Sequence, residues 1–162
     1  MTTRTPAVRR HTVIARALTV VVFAAFTAST LVAATPAGAG GWSEIDQTFA
    51  MINDQRAWEG VAPVAWDQQL SDVAQWWAEQ MAGGRFLAHN PSLADQVTGW
   101  WWKLGENVGR GPAGGLDTIQ AAFVNSPHHH ANMVNPDFNY LGLGVAYDGY
   151  GTMYVVHVYA QF

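Results

Sequence analysis

The chain has 162 residues, with 8 basic against 12 acidic side chains and no cysteine. The lack of cysteine excludes a disulfide framework and any thiolate metal site. A net charge of −4 repels phosphate backbones, so no nucleic-acid partner is expected.

In chain order, a leader comes first. Arg9 and Arg10 form a basic start, an apolar run extends from about Ala17 to Ala34, and Ala37-Gly38-Ala39 supplies small residues before Gly40. This pattern predicts a signal peptide over 1–39, cleaved to release the protein outside the cell. The rival is an uncleaved segment that would be the chain's one link to a membrane, because a span takes about 20 apolar residues. Arg9-Arg10 leaves both the general and the twin-arginine export routes open. Without the leader, four cations (Arg56, Arg85, Lys103, Arg110) face twelve acids, a net charge of −8. Residues 40–162 then form one domain of ordinary size, with no internal repeat or linker, expected to be monomeric.

A first helix is predicted from Trp42 to about Trp58, with Ile45, Phe49 and Ile52 on one side. EGVAPVAWD follows as a turn with a short extended piece. The second helix starts after Asp67 as N-cap and carries Leu70, Val73, Ala74, Trp77, Ala78 and Met81 on one stripe. Gly83-Gly84 is expected to end it. Residues 85–115, dense in Gly and Pro, read as loop. A third helix is expected over Leu116–Asn125. A fourth should begin with Ser126 as cap and Pro127 in the first position, with Pro136 marking its far end. YLGLGVAY and TMYVVHVYAQF then read as two strands joined by a DGYG hairpin turn. Helices first and paired strands last indicate an α+β fold.

The stretch SPHHHANMVNP concentrates the chemistry. Neighbouring helix residues point about 100° apart, so His128, His129 and His130 cannot converge on one ion. The two histidines at i and i+4 of a helical metal motif are absent. A site would need one of the three together with residues from elsewhere, and His89 in AHNPSL and Glu106 in LGENVG are the candidates. Two imidazoles and a carboxylate suit a zinc site with an open position, or acid–base work near neutral pH. Loop residues of these types are also commonly solvated or bonded to backbone, and spacing does not decide between the two.

Four ordered blocks do more: INDQRAWEGVAPVAWDQQLSDVAQWWAEQMA, AHNPSL, GENVGRG and FVNSPHHHANMVNPDFNYLGLGVAY. Together they resemble the CAP superfamily of cysteine-rich secretory, antigen 5 and pathogenesis-related proteins, in its bacterial SCP-like form. The resemblance spans about residues 45 to 162. It implies an α–β–α sandwich, helices around a small and mainly antiparallel sheet, with secretion and a central His/Glu cleft. Carried over by motif, the cleft residues are His89, Glu106 with Asn107 beside it, and His129, while His128 and His130 become bystanders. A second cleft Glu and a preceding Trp, common in the family, read here as Ser126 and Phe123.

The resemblance implies a binding module, with no cofactor required, for a small apolar, lipid-like or cell-envelope ligand. The alternative is a metal-assisted hydrolase in which His89 and His129 hold a weakly bound zinc and Glu106 serves as third ligand or base. A third reading is a purely structural surface module. Among the other residues, Ser126 is expected to cap a helix rather than act as nucleophile. His157 is expected to be structural, and Asn53 and Arg56 to anchor a helix by hydrogen bonds. Trp100-Trp101-Trp102 can be either a stacking platform or core.

Overall fold

The computed structural model describes residues 43–162. The predicted leader and Trp42 lie outside the described residues. The first helix, α1 (Glu44–Trp58), starts at Ser43, whose side chain and that of Asp46 form a reciprocal capping box. A two-residue strand β1 (Ala65–Trp66) follows, then α2 (Gln68–Gly84) and the single turn α3 (Leu93–Gln96). Strand β2 (Lys103–Pro112), helices α4 (Leu116–Asn125) and α5 (Pro127–Met133), and strands β3 (Tyr140–Tyr147) and β4 (Thr152–Gln161) complete the chain.

The sheet order is β1-β3-β4-β2, with β1 parallel to β3 and the other pairs antiparallel. Successive side chains of a strand point to opposite faces, and here each face has its own core. Leu70, Ala74, Trp77, Ala78 and Met81 of α2 pack with Val108, Val156 and Val158 on one face. Ile52 of α1, Phe123 of α4 and Met133 of α5 pack with Leu143, Val155 and Tyr159 on the other. Helices therefore cover both faces of a small sheet, an α+β fold with the α–β–α sandwich that the resemblance implied.

α2 begins as predicted, with the Asp67 carboxylate accepting from the Leu70 N–H at 2.8 Å. Its seat on the sheet depends on Gly142 and Gly144 of β3. A Cβ on Gly144 would lie 2.3 Å from the backbone carbon of Ala74, so only glycine admits the helix at this distance. Its C-terminus differs in detail from the expectation. Gly83-Gly84 lies inside the last turn, and Arg85 takes the left-handed conformation at φ 54°. The Phe86 ring is the reason, because it packs across Gly84 and edge-on to Trp77 at 5.7 Å.

The larger correction is β2, a ten-residue strand inside a stretch that reads as loop. Gly105, Gly109 and Gly111 break its apolar alternation because other side chains fill their places. A Cβ at Gly105 would meet Phe138 at 2.8 Å, and one at Gly109 would meet Phe123 at 2.7 Å. The strand is held by its register with β4, where Glu106 pairs with Val158 and Asn107 with His157.

Asn53 and Arg56 anchor α1 as expected. Asn53 exchanges hydrogen bonds with the Val64 backbone at 2.9 and 3.2 Å. The fully buried Arg56 guanidinium donates to the carbonyls of Ala62, Met133, Asn135 and Phe138. The three tryptophans divide: Trp100 and Trp102 are 95% and 82% exposed, while Trp101 packs against the α2-side core.

Candidate functional site

β2 is an edge strand, and the candidate residues gather around it from both layers. Glu106 and Asn107 are neighbours on β2, so their side chains leave on opposite faces. His89 arrives from the loop after α2, on the Glu106 side. His129 arrives on α5, which packs the other face. Asn132, also on α5, ties the helix to the strand by donating to the Glu106 carbonyl at 3.1 Å and to Asn107 Oδ1 at 2.9 Å.

Glu106 is the buried member, its side chain 5% exposed against 64% for His89. Its Oε1 lies 2.6 Å from His89 Nδ1 and accepts from the Asn90 N–H at 3.0 Å. Burial raises its pKa above the ordinary carboxylate value, and those two partners oppose the rise. Oε2 is buried without a hydrogen-bond partner. Leaving such an atom unbonded costs energy, so it marks a place where a ligand group or water belongs.

His129 is half-buried, with its ring centroid 4.9 Å from that of Phe123. Burial lowers its pKa, and the nearby His89 and His128 lower it further, so the ring is neutral at neutral pH with a lone pair to offer. Asn107 plays a different part. It is fully buried and donates to the His129 carbonyl at 3.0 Å, so it supports α5 and is no surface that a ligand can reach. The three histidines are unequal, as the helical fan requires. His128 is exposed, but His130 is not the solvated bystander expected from sequence: its Nε2 lies 3.4 Å from both Glu59 and Gln55 of α1.

Ser126 also departs from expectation. It stands where α4 turns into α5 but makes no side-chain cap bond. Instead it lines a cleft of about 250 Å³ that crosses the β2 edge, beside His129 and Phe123. Leu87, Val108, Ile119 and Ala122 make its apolar walls, and Arg110 stands in its lining. Sequence reasoning did not single out Arg110 or these wall residues. The one signal was the placement of Arg110 within GENVGRG, four residues after Glu106.

By donor type, two imidazoles and a carboxylate suit zinc. The arrangement is less favourable, because Glu106 is committed to His89. Among the described residues no three His, Cys, Asp or Glu side chains are grouped to hold an ion. His157 stays outside the cleft, as expected of a structural histidine. It is fully buried between the Gln120 amide and the Tyr159 hydroxyl, each at 3.2 Å, and burial pushes its pKa down to about 3.

Comparison with known proteins agrees with this architecture. The chain is 27% identical over 116 residues to the uncharacterized membrane protein YlbC of Bacillus subtilis, covering 64% of this chain and 33% of that protein. It is 26% identical over 106 residues to the uncharacterized protein YkwD of the same organism, covering 61% and 41%. An extracellular SCP-domain protein from Bacillus anthracis superposes with a TM-score of 0.62 at 26% identity, over 74% of this chain and 40% of that one. The chain thus spans well under half the length of each of these relatives. No helix among the described residues is long and apolar enough to cross a membrane. The model of the cysteine-rich secretory protein family, CAP, matches residues 49–159, and the chain belongs to that family.

Proposed function

We propose that this chain is a secreted binding module whose cleft over the β2 edge takes a small apolar or cell-envelope ligand, without catalysis. The observation that carries this reading is the cleft itself: apolar walls from both cores, with the neutral His129 ring and the Ser126 hydroxyl as polar contacts. Ligand sites of this kind are mostly apolar, with a few placed polar groups. The extracellular setting of the Bacillus anthracis relative and the leader-like residues 1–39 support secretion. The test is titration with 1-octanol, followed by NMR shifts of the cleft residues. Ala122→Trp, which fills the cleft from an exposed wall position, is expected to abolish those shifts. Binding of equal strength in that variant would overturn the reading.

A second reading, metal-assisted hydrolysis, has one observation in its favour: the buried, unbonded Oε2 of Glu106. His89 and His129 would hold a divalent ion, which would supply Lewis acidity and a more acidic bound water. With Glu106 orienting His89 through Nδ1, only two imidazoles remain, so weak affinity is expected. Zinc calorimetry tests it: His129→Ala is expected to remove binding and the exposed His128→Ala to leave it. Tight binding that survives His129→Ala would remove His129 from the site.

A further inference from the structure

A larger hollow, of about 370 Å³, lies away from the β2 edge, where α1 passes β1 at the opposite edge of the sheet. Ile45, Asp46 and Phe49 of α1 line one side of it, and Trp66 of β1 lines the other. Residues three and four apart share a helix face, so Phe49 stands beside both Asp46 and Ile45. The Phe49 and Trp66 rings lie 5.9 Å apart at 72°, two aromatic walls that form a corner. The Trp66 indole N–H donates to Gln68 Oε1 at 3.4 Å, and the Gln68 amide donates in turn to Asp72 at 2.8 Å. Asp46 Oδ2 accepts from the backbone N–H and the hydroxyl of Ser43, at 3.3 and 2.7 Å. Among the described residues its Oδ1 accepts no hydrogen bond. A partly exposed tryptophan often only finishes a core. Here the indole stays 39% exposed, and the corner between the two rings and the carboxylate is open.

We infer that this hollow binds a free quaternary ammonium ion, held against the Phe49 and Trp66 rings with Asp46 as its counter-charge. Aromatic faces carry negative potential, and a cation within about 6 Å of a ring centroid is attracted to them. No cation of the protein competes for the place. Arg56 is buried against backbone carbonyls, Lys103 pairs with Asp137, Arg85 lies over the Tyr150 ring, and Arg110 lines the other cleft. Against these four stand twelve carboxylates, so the field of the described residues draws cations in. The kind of cation follows from hydration. A primary ammonium has three N–H donors and a strong water shell, which ring faces replace poorly. A quaternary ammonium has no N–H to leave unpaired, and its methyl groups also suit the apolar Ile45 side chain. The same negative field disfavours a cation that carries a phosphate, which assigns the free ion. The volume is at the low end of the roughly 300–1,000 Å³ of small-molecule sites, as a small ion requires.

Calorimetry on the protein compares choline, neohexanol, butylammonium and phosphocholine. Neohexanol is the neutral isostere of choline, with carbon in place of the charged nitrogen. Choline is expected to bind about tenfold more tightly than neohexanol, in line with two ring contacts and one exposed counter-charge. Butylammonium and phosphocholine should both bind more weakly than choline. Trp66→Leu keeps an apolar wall and should bring the choline-to-neohexanol ratio to about one, whereas Trp66→Tyr should keep part of the preference. Asp46→Asn retains an acceptor for Ser43 and should weaken choline about threefold. If choline fails to bind, or binds no better than neohexanol, the cation site is wrong. If butylammonium equals choline, the quaternary assignment falls. Phosphocholine binding more tightly than choline would overturn the free ion in favour of a phosphorylated head group. Sedimentation with phosphatidylcholine vesicles that Trp66→Leu abolishes would do the same. A choline preference that survives Trp66→Leu unchanged would place the ion elsewhere and overturn the site.

Discussion

The two faces of the sheet are built on different principles. The α2 face is nearly all apolar, and the helix sits so close that Gly142 and Gly144 have no room for a Cβ. The α1, α4 and α5 face is equally buried, but it contains Arg56, Asn107, Gln120, His157 and Tyr159 among its apolar residues. Close apolar packing dominates the first face, with Ser71 and Gln75 of α2 accepting from the Leu143 and Val145 N–H groups of β3, whereas hydrogen bonds from buried polar side chains run through the core of the second. Close packing tolerates little rearrangement. A face wired by polar bonds is more specific in geometry, and this chain builds His129 on that face. Phe123 shows the link, with the His129 ring 4.9 Å away and the buried His157 ring 4.8 Å away.

The comparison can be broken most severely on the apolar side. Trp77 is 8% exposed, and its indole N–H donates to the Ala88 carbonyl at 2.8 Å. Trp77→Ala is expected to cost about 3–5 kcal/mol, measured by denaturant melts. That is a large share of the roughly 5–15 kcal/mol typical of a domain. It should also loosen the loop that carries His89, one residue beyond the carbonyl it binds. A shift in the melt below about 1 kcal/mol would show that α2 is not the main support of its face.

The polar side should reveal itself through pH. The buried His157 has a folded pKa pushed down to about 3, against about 6.5 in an unfolded chain. The unfolded state therefore binds a proton more readily, so stability is fully present above about pH 6.5 and is lost as pH falls toward 3. The loss attributable to this one group is about 2 kcal/mol by pH 5. His129, lowered for the same reason, adds to it in the same direction. His157→Gln should flatten the pH dependence of stability between pH 7 and 5. An unchanged slope in that variant would move the acid sensitivity elsewhere.

The smallest effect sharpens the contrast between two serines. Ser43 caps α1 in a reciprocal box, so Ser43→Ala should cost about 1 kcal/mol. Ser126 makes no cap bond, so Ser126→Ala should change stability by less than about 0.5 kcal/mol, as surface changes do. Thermal melts of the two variants check this directly. Equal costs would mean that Ser126 is a cap in solution and not a cleft hydroxyl.

Much of this molecule was legible in its residues. The spacing of Leu70, Ala74, Trp77 and Met81 defines a buried helical stripe, because an α-helix returns to the same face every three to four residues. Asp67 marks where that helix starts, and the two apolar runs around DGYG mark a hairpin. The inequality of the three histidines follows from 3.6 residues per turn, whatever surrounds them. Arg56 and Asn53 were recognisable as anchors, but their partners, up to 82 residues away, were not.

What only the tertiary structure decided depends on contacts between distant segments. β2 is a strand because β4 supplies its hydrogen bonds and Phe123 and Phe138 fill the places its glycines leave. Neither cause is local, so the alternation that reveals a strand is absent from its own residues. His130 is bonded to α1 rather than solvated, because α5 happens to pass Gln55 and Glu59. The same holds for the cleft. Arg110 looks like any surface arginine until the edge position of β2 and the crossing of α4 place it beside Phe123 and His129. Local residues determined the helices and the β3–β4 hairpin and which faces they bury, but not β2. Long-range pairing decided which side chains meet, and therefore where chemistry can occur.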